Sequence, residues 1–209
     1  MIILHNNYKN LNICIFASGT GTNFSAILNA KNKCKIKSEI LLLITNNSKC
    51  KAAETARENK IDVVHISRKI FPKHSDRAYS NLFLSALKKY NIDLIVLAGY
   101  MKLIEVPVVR KFRNRIINIH PALLPSFGGK GMYGMNVHKA VIKAGVKVTG
   151  VSIHFVNEIY DEGKIIYQKC VSVSEDDDEF SLQKKVLKLE HKSYAEVIKM
   201  MEDGLIELG

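Results

Sequence analysis

Residues 115–125 read RIINIHPALLP. An apolar, β-type run over 115–119 leads into His120 and stops at Pro121. Alternate side chains of a strand share a face, so Asn118 and His120 point the same way at its carboxyl end. Proline lacks an N–H, and the residue before it avoids the helical region, so His120 is held extended. An amide and a titratable imidazole therefore sit on stiff backbone. In open α/β sheets ligands bind at the carboxyl ends of strands.

Upstream of this run, short β-rich stretches at 12–17, 39–45, 63–66 and 93–98 alternate with helical patterns at 24–30, 49–59 and 76–90. That alternation predicts a parallel, doubly wound sheet. A short helix over 107–112 has Pro107 in its first turn. Downstream, 147–156 and 164–173 alternate like strands and are joined by NEIYDEG, which suits an antiparallel hairpin. A helix over 137–144 stops at Gly145. A closing helix runs to about residue 201, with Val186, Leu189, Tyr194, Val197 and Ile198 as candidate core. Ser174 is its expected cap, with Asp177 in the box position. The predicted fold is α/β: a Rossmann-like, doubly wound, mostly parallel sheet with an antiparallel C-terminal hairpin and a closing helix. No repeat or linker divides residues 1–209, so one domain is expected.

SGTGTN at 18–23 lies between the first strand and the first helix. Strand, glycine-rich turn and helix present backbone N–H groups and the positive end of a helix dipole to an anion. Asn23 or Thr22 is the expected helix cap. Phe24 stands where a third glycine of GxGxxG would fall, and no GK[ST] follows, so this is neither the dinucleotide nor the Walker pattern. The loop 126–136, SFGGKGMYGMN, reads as a mobile lid. His154 falls within a strand and reads as a packing histidine or a support for a neighbour. Asp161 lies in a turn, where aspartate ordinarily bonds local N–H groups.

The chain has 209 residues, a net charge of +11 and 47% apolar residues. It carries no apolar run long enough to span a membrane. Its start, MIILHNNYKN, lacks the apolar stretch of a secretory signal. Cys14, Cys34, Cys50 and Cys170 are scattered without metal-ligand or disulfide-framework spacing, so a reducing cytoplasm and no metal are expected. The positive balance favours anionic partners. The lysines are dispersed and the Arg110–Arg115 cluster holds a single aromatic, Phe112, so small anions are favoured over nucleic acid.

Three stretches coincide: SGTGTN, NIHPALLPSF and HFVNEIYDEG. Together they resemble the folate-dependent formyltransferases, over nearly the whole chain from about residue 11. The resemblance implies transfer of a formyl group from 10-formyltetrahydrofolate to the amine of glycinamide ribonucleotide, in purine biosynthesis, without a metal. It implies a phosphate-binding half over about 11–110 and a catalytic and folate-binding half over about 111–209. The catalytic asparagine, histidine and aspartate fall on Asn118, His120 and Asp161. A protonated His120 is expected, its imidazolium favoured by Asp161. The phosphate loop falls on Gly19, Thr20, Gly21, Thr22 and Asn23, and the ribose-holding glutamate on Glu190. The folate segment falls on 98–104, with Met101, Lys102, Leu103 and Ile104 as contacts beside Asn118, and a folate-facing arginine matches Arg77. Three departures stand out: extra residues in the loop after LLPSF, Leu187 where a polar residue is usual, and DEG for DGG. Small-molecule substrates, no membrane, no nucleic acid, and a monomer or homodimer are expected. Formyltetrahydrofolate hydrolysis, an amino-sugar acceptor and a basic nucleic-acid-binding module are the alternatives. A tRNA formyltransferase would need a further C-terminal domain.

Overall fold

The computed structural model describes residues 10–209, so most of the amino-terminal stretch read above lies outside the described residues. Seven strands are formed: β1 (Asn12–Phe16), β2 (Glu39–Thr45), β3 (Asp62–His65), β4 (Leu94–Leu97), β5 (Ile116–His120), β6 (Val148–Phe155) and β7 (Ile165–Ser172). Between them lie α1 (Thr22–Asn32), α2 (Lys51–Glu58), α3 (Asp76–Lys89), α4 (Val106–Lys111) and α5 (Met135–Ala144), and α6 (Glu179–Glu202) closes the fold. The strand order is β3-β2-β1-β4-β5-β6-β7. The first five strands are parallel, and β6 runs antiparallel to both β5 and β7.

The two-residue period of the strands sorts the core onto two faces. Ile13 and Ile15 of β1 join Phe24 and Ile27 of α1, Ala52 and Ala53 of α2 and the apolar stripe of α6. Cys14 and Phe16 point the other way, onto Tyr79 and Phe83 of α3 and Val108 of α4. Buried parallel strands need helices on both faces, which is why β1, β2 and β4 read as nearly continuous apolar runs. The α6 stripe docks on one face, and the Tyr194 hydroxyl donates to the Leu97 carbonyl at 2.5 Å, tying that helix to the end of β4. At the other end of α6, the Glu202 carboxylate accepts from the Lys37 and Ser38 backbone N–H groups at 2.8 and 2.7 Å.

Several expectations are corrected. No side chain caps α1: its N-cap is Gly21, in the left-handed region at φ 71°, and Thr22 is already helical. An alanine Cβ at Gly21 would also lie 2.7 Å from Ala52 Cβ. Ser174 does not cap α6. Asp178 does, through a capping box with Ser181, because Asp177 is engaged with the Ser174 N–H and with Lys185. Leu189 is only partly buried.

Topology places the site. From β1 the chain steps outward to β2 and β3, then returns to lay β4 on the other side of β1. The loops after β1 and β4 part at this reversal and leave a crevice at the carboxyl ends of the strands. The β6–β7 connection is tight at Gly163, where an added Cβ would fall 1.6 Å from the Phe155 carbonyl oxygen. Gly163→Ala is expected to destabilise the protein by about 1–3 kcal/mol through this overlap, read as a lower urea midpoint at unchanged slope.

Candidate active site

Asn118 and His120 share one face of β5, as strand periodicity requires. The antiparallel register sets Asn118 against His154 and His120 against Ser152 on β6. The chain then turns after β6 and returns Asp161 to the same spot. Asp161 has φ 56°, a left-handed turn conformation that aspartate tolerates better than most residues. Its carboxylate lies 3.5 Å from His120 Nδ1 and 3.6 Å from His154 Nε2, and accepts from the Gly129 N–H at 2.9 Å. Asp161, distant in sequence, is thus brought to the neighbouring Asn118 and His120, with His154 as a fourth member.

The tautomers follow from the carbonyls. His154 Nδ1 lies 2.9 Å from the Phe155 carbonyl, which only accepts, so Nδ1 carries a proton. His154 Nε2 lies between two partners, 3.2 Å from the Asn118 amide nitrogen and 3.6 Å from the Asp161 carboxylate, and so links the two side chains. His120 Nε2 faces the Phe127 carbonyl at 2.8 Å and so donates to it. The segment after β5 is pinned by Ser152, whose hydroxyl donates to the Ala122 carbonyl and accepts from the Leu124 N–H. Gln168 of β7 donates to the Leu124 carbonyl and to Ser152.

Burial decides the charge states. His120 is only 3% exposed, and desolvation lowers its pKa despite the opposing pull of Asp161. Asp161 pulls the His120 pKa upward as expected, but burial outweighs one nearby carboxylate and the net direction is down. For Asp161, burial opposes ionisation, but His154, the Gly129 N–H and His120 together leave its pKa lowered. Both shifts contribute stability that is present above the ordinary pKa values and is lost as pH falls through the folded ones.

The glycine turn sits at the reversal in strand order. The Gly19 carbonyl accepts from the Ala52 N–H, and Ser18 accepts through its hydroxyl from the Met101 N–H at 3.0 Å. Ser18 thereby joins the loop after β1 to the segment after β4, a link that nothing in the sequence announces. Asn23 is buried; its amide donates to Glu190 on α6 at 2.6 Å, while its own Oδ1 is buried with no partner. Burial pushes the Glu190 carboxyl up to about 7, with the Asn23 bond opposing that rise. The stability this proton confers is present below the ordinary value of 4.5 and is lost as pH rises through about 7.

In the 98–104 segment Met101 and Leu103 are exposed at 57% and 59%, and Ile104 is buried. Lys102 and Leu103 line a cavity of about 450 Å³ with Arg68, Tyr79 and Tyr100. Arg68, which the sequence reading missed, stacks 3.9 Å over the Tyr79 ring and pairs with Asp76. Arg77 is exposed and lies in an adjoining recess with Glu105 and Pro107, outside that cavity. The loop 126–136 reaches the site through the Phe127 carbonyl and the Gly129 N–H. Among the described residues no cluster of three or more His, Cys, Asp or Glu has metal-holding geometry, and no helix is long and apolar enough to cross a membrane.

Two titrations check this account. Asn23→Ala should raise the Glu190 pKa above about 7, since it removes the bond that lowers it, as read by carboxyl carbon NMR. Asp161→Asn should lower the His120 pKa further, because the opposing charge is gone, as read by imidazole NMR.

Comparison with known proteins agrees with this geometry. The formyl transferase family model matches residues 11–198. The chloroplastic phosphoribosylglycinamide formyltransferase of Arabidopsis thaliana is 44% identical over 205 residues, covering 92% of this chain and 68% of that protein. The Bacillus subtilis phosphoribosylglycinamide formyltransferase is 35% identical, covering 90% of this chain and 92% of that one. The crystal structure of the Bacillus halodurans phosphoribosylglycinamide formyltransferase superposes with a TM-score of 0.83 at 38% identity, over 91% of this chain and 94% of that chain. The family match over most of the chain and these identities place the chain in the formyl transferase family, among the phosphoribosylglycinamide formyltransferases.

Proposed function

We propose that the protein transfers a formyl group from 10-formyltetrahydrofolate to the primary amine of glycinamide ribonucleotide. The observation that carries this reading is the convergence of Asn118, His120 and Asp161 on one spot, in a fold whose glycine turn leaves the start of α1 without a side-chain cap. Gly19, Thr20, Gly21, Thr22 and Asn23 hold the ribonucleotide phosphate through α1 N–H groups and the helix dipole. Glu190, with the orphaned Asn23 Oδ1 next to it, engages ribose hydroxyls. Met101, Lys102, Leu103 and Ile104 receive the folate. Arg68 inside the neighbouring cavity and Arg77 in the recess beside it supply cations for its carboxylates.

In the reaction the amine attacks the formyl carbon and a tetrahedral oxyanion develops. Asn118, its amide beside His154, donates one N–H to that oxygen. Neutral His120 donates its Nε2–H once the formyl oxygen takes the place of the Phe127 carbonyl. Loss of one such donor typically costs about 2.7–4 kcal/mol of barrier. Asp161 accepts the proton of the attacking amine and passes it to N10, which departs as the bond between N10 and the formyl carbon breaks, leaving the carboxylate ionised again. No covalent enzyme intermediate is needed.

The same reading covers residues 1–209 as a single formyltransferase domain, cytoplasmic, acting on small molecules without nucleic acid or membrane, as a monomer or homodimer. Formyltetrahydrofolate with the ribonucleotide should yield tetrahydrofolate, and omission of the ribonucleotide should abolish it. Product formed without the acceptor would indicate a hydrolase instead. Asp161→Asn should lower kcat by about a hundredfold or more while the KM values stay within about threefold, in line with loss of a proton-transfer group.

A further inference from the structure

Beyond the glycine turn, α1 and α6 lie side by side and run the same way, since Asn23 meets Glu190 near one end and Ser38, just past α1, meets Glu202 at the other. Between them is a groove of about 950 Å³. Thr20 and Thr22 line one end, and Lys33 and Lys35 lie past the C-terminus of α1 at the other. Lys188, His191 and Lys192 of α6 line its wall. The 11 residues of α1, along which the groove lies, span about 16 Å.

The four lysines Lys33, Lys35, Lys188 and Lys192 have no carboxylate partner within ion-pair distance among the described residues. The one carboxylate among the groove's described lining residues, Glu196, is bonded by the Tyr167 hydroxyl and by Lys169, and Lys192 lies near enough to help lower its pKa without a salt bridge. His191 adds a buried Nε2 with no hydrogen-bond partner. A helix C-terminus favours cations, which accounts for Lys33, yet Lys188 and Lys192 sit in the middle of α6. A phosphate monoester carries about two negative charges and would occupy only the threonine end. Four ammonium groups spread along this length match a longer anion with several charges.

We propose that this groove is a second anion site that takes an oligophosphate, of the kind carried by a nucleoside di- or triphosphate. The proposal rests on the reading that the glycine turn holds the substrate phosphate, because one end of the oligophosphate would overlap it. An oligophosphate is then a competitor of the ribonucleotide and leaves the folate side untouched.

The test is calorimetry on the full chain at fixed ionic strength with inorganic tripolyphosphate, a nucleoside triphosphate and orthophosphate. Tripolyphosphate should bind about tenfold or more tighter than orthophosphate, as expected when several charge contacts replace one. Tighter binding of the nucleoside triphosphate assigns the natural ligand to nucleotides, and equal binding assigns it to the phosphate chain alone. The variant Lys33→Gln, Lys35→Gln, Lys192→Gln should lose this binding about tenfold, yet keep wild-type kcat. A variant with the same charge loss elsewhere, Lys88→Gln, Lys111→Gln, Lys139→Gln, should keep the binding. In wild type, tripolyphosphate should raise the KM for the ribonucleotide at unchanged kcat. Equal weak binding of all three anions, or equal losses in the two variants, would overturn the proposal. Oligophosphate binding without formyl transfer would sink the functional reading and leave the groove standing; the reverse would sink the groove alone.

Discussion

The pairing of β5 with β6 is the constraint on which the site depends. Antiparallel register puts His154 opposite Asn118 and lets the following turn carry Asp161 back to His120. A slip of either strand by one residue would turn its histidine to the opposite face and part it from the other, because side chains alternate along a strand. Buried Ile117, Ile119, Ile153 and Phe155 resist such a slip, since each would exchange core for the polar side. The apolar residues of these strands therefore hold the polar ones in place.

Within that frame, desolvation sets the protonation states. His120 and Asp161 face each other at 3.5 Å, a geometry that by Coulomb's law alone favours an imidazolium. Burial reverses this for the histidine, while the carboxylate, with one N–H donor and two rings around it, keeps its charge. Glu190 shows the opposite balance: one amide contact does not compensate its burial. An ionised carboxylate and a neutral N–H donor side by side are a pairing suited to moving a proton while a carbonyl is polarised.

The two halves of the site are joined at the reversal in strand order. Ser18 links the loop after β1 to the segment after β4, and Asn23 links α1 to α6. Ser18 makes two hydrogen bonds across its junction, to Gly99 and Met101, and Asn23 makes one, each between elements far apart in sequence. The loop 126–136 contributes only main-chain groups to the cluster, the Phe127 carbonyl and the Gly129 N–H. Its role in the site thus depends on its path more than on its side chains.

Much of this was legible from the chain alone. The strand and helix order, the antiparallel hairpin, Gly145 as a helix stop, and Asn118 with His120 on one face all follow from local periodicity and turn chemistry. The helix caps were misread, because serine, threonine and asparagine can each cap, and long-range partners such as Glu190 draw the side chain elsewhere. The closeness of Asp161 to His120 came from the family resemblance, since no local pattern marks a turn aspartate. His154 as the partner of Asn118, Ser18 as the bridge between loops, Arg68 in the cavity beside Lys102 and Leu103, and the lowered pKa of His120 were decided only by tertiary structure. Sequence determines what each short segment prefers; contacts between segments, and the removal of water that accompanies them, depend on where the whole sheet brings those segments together.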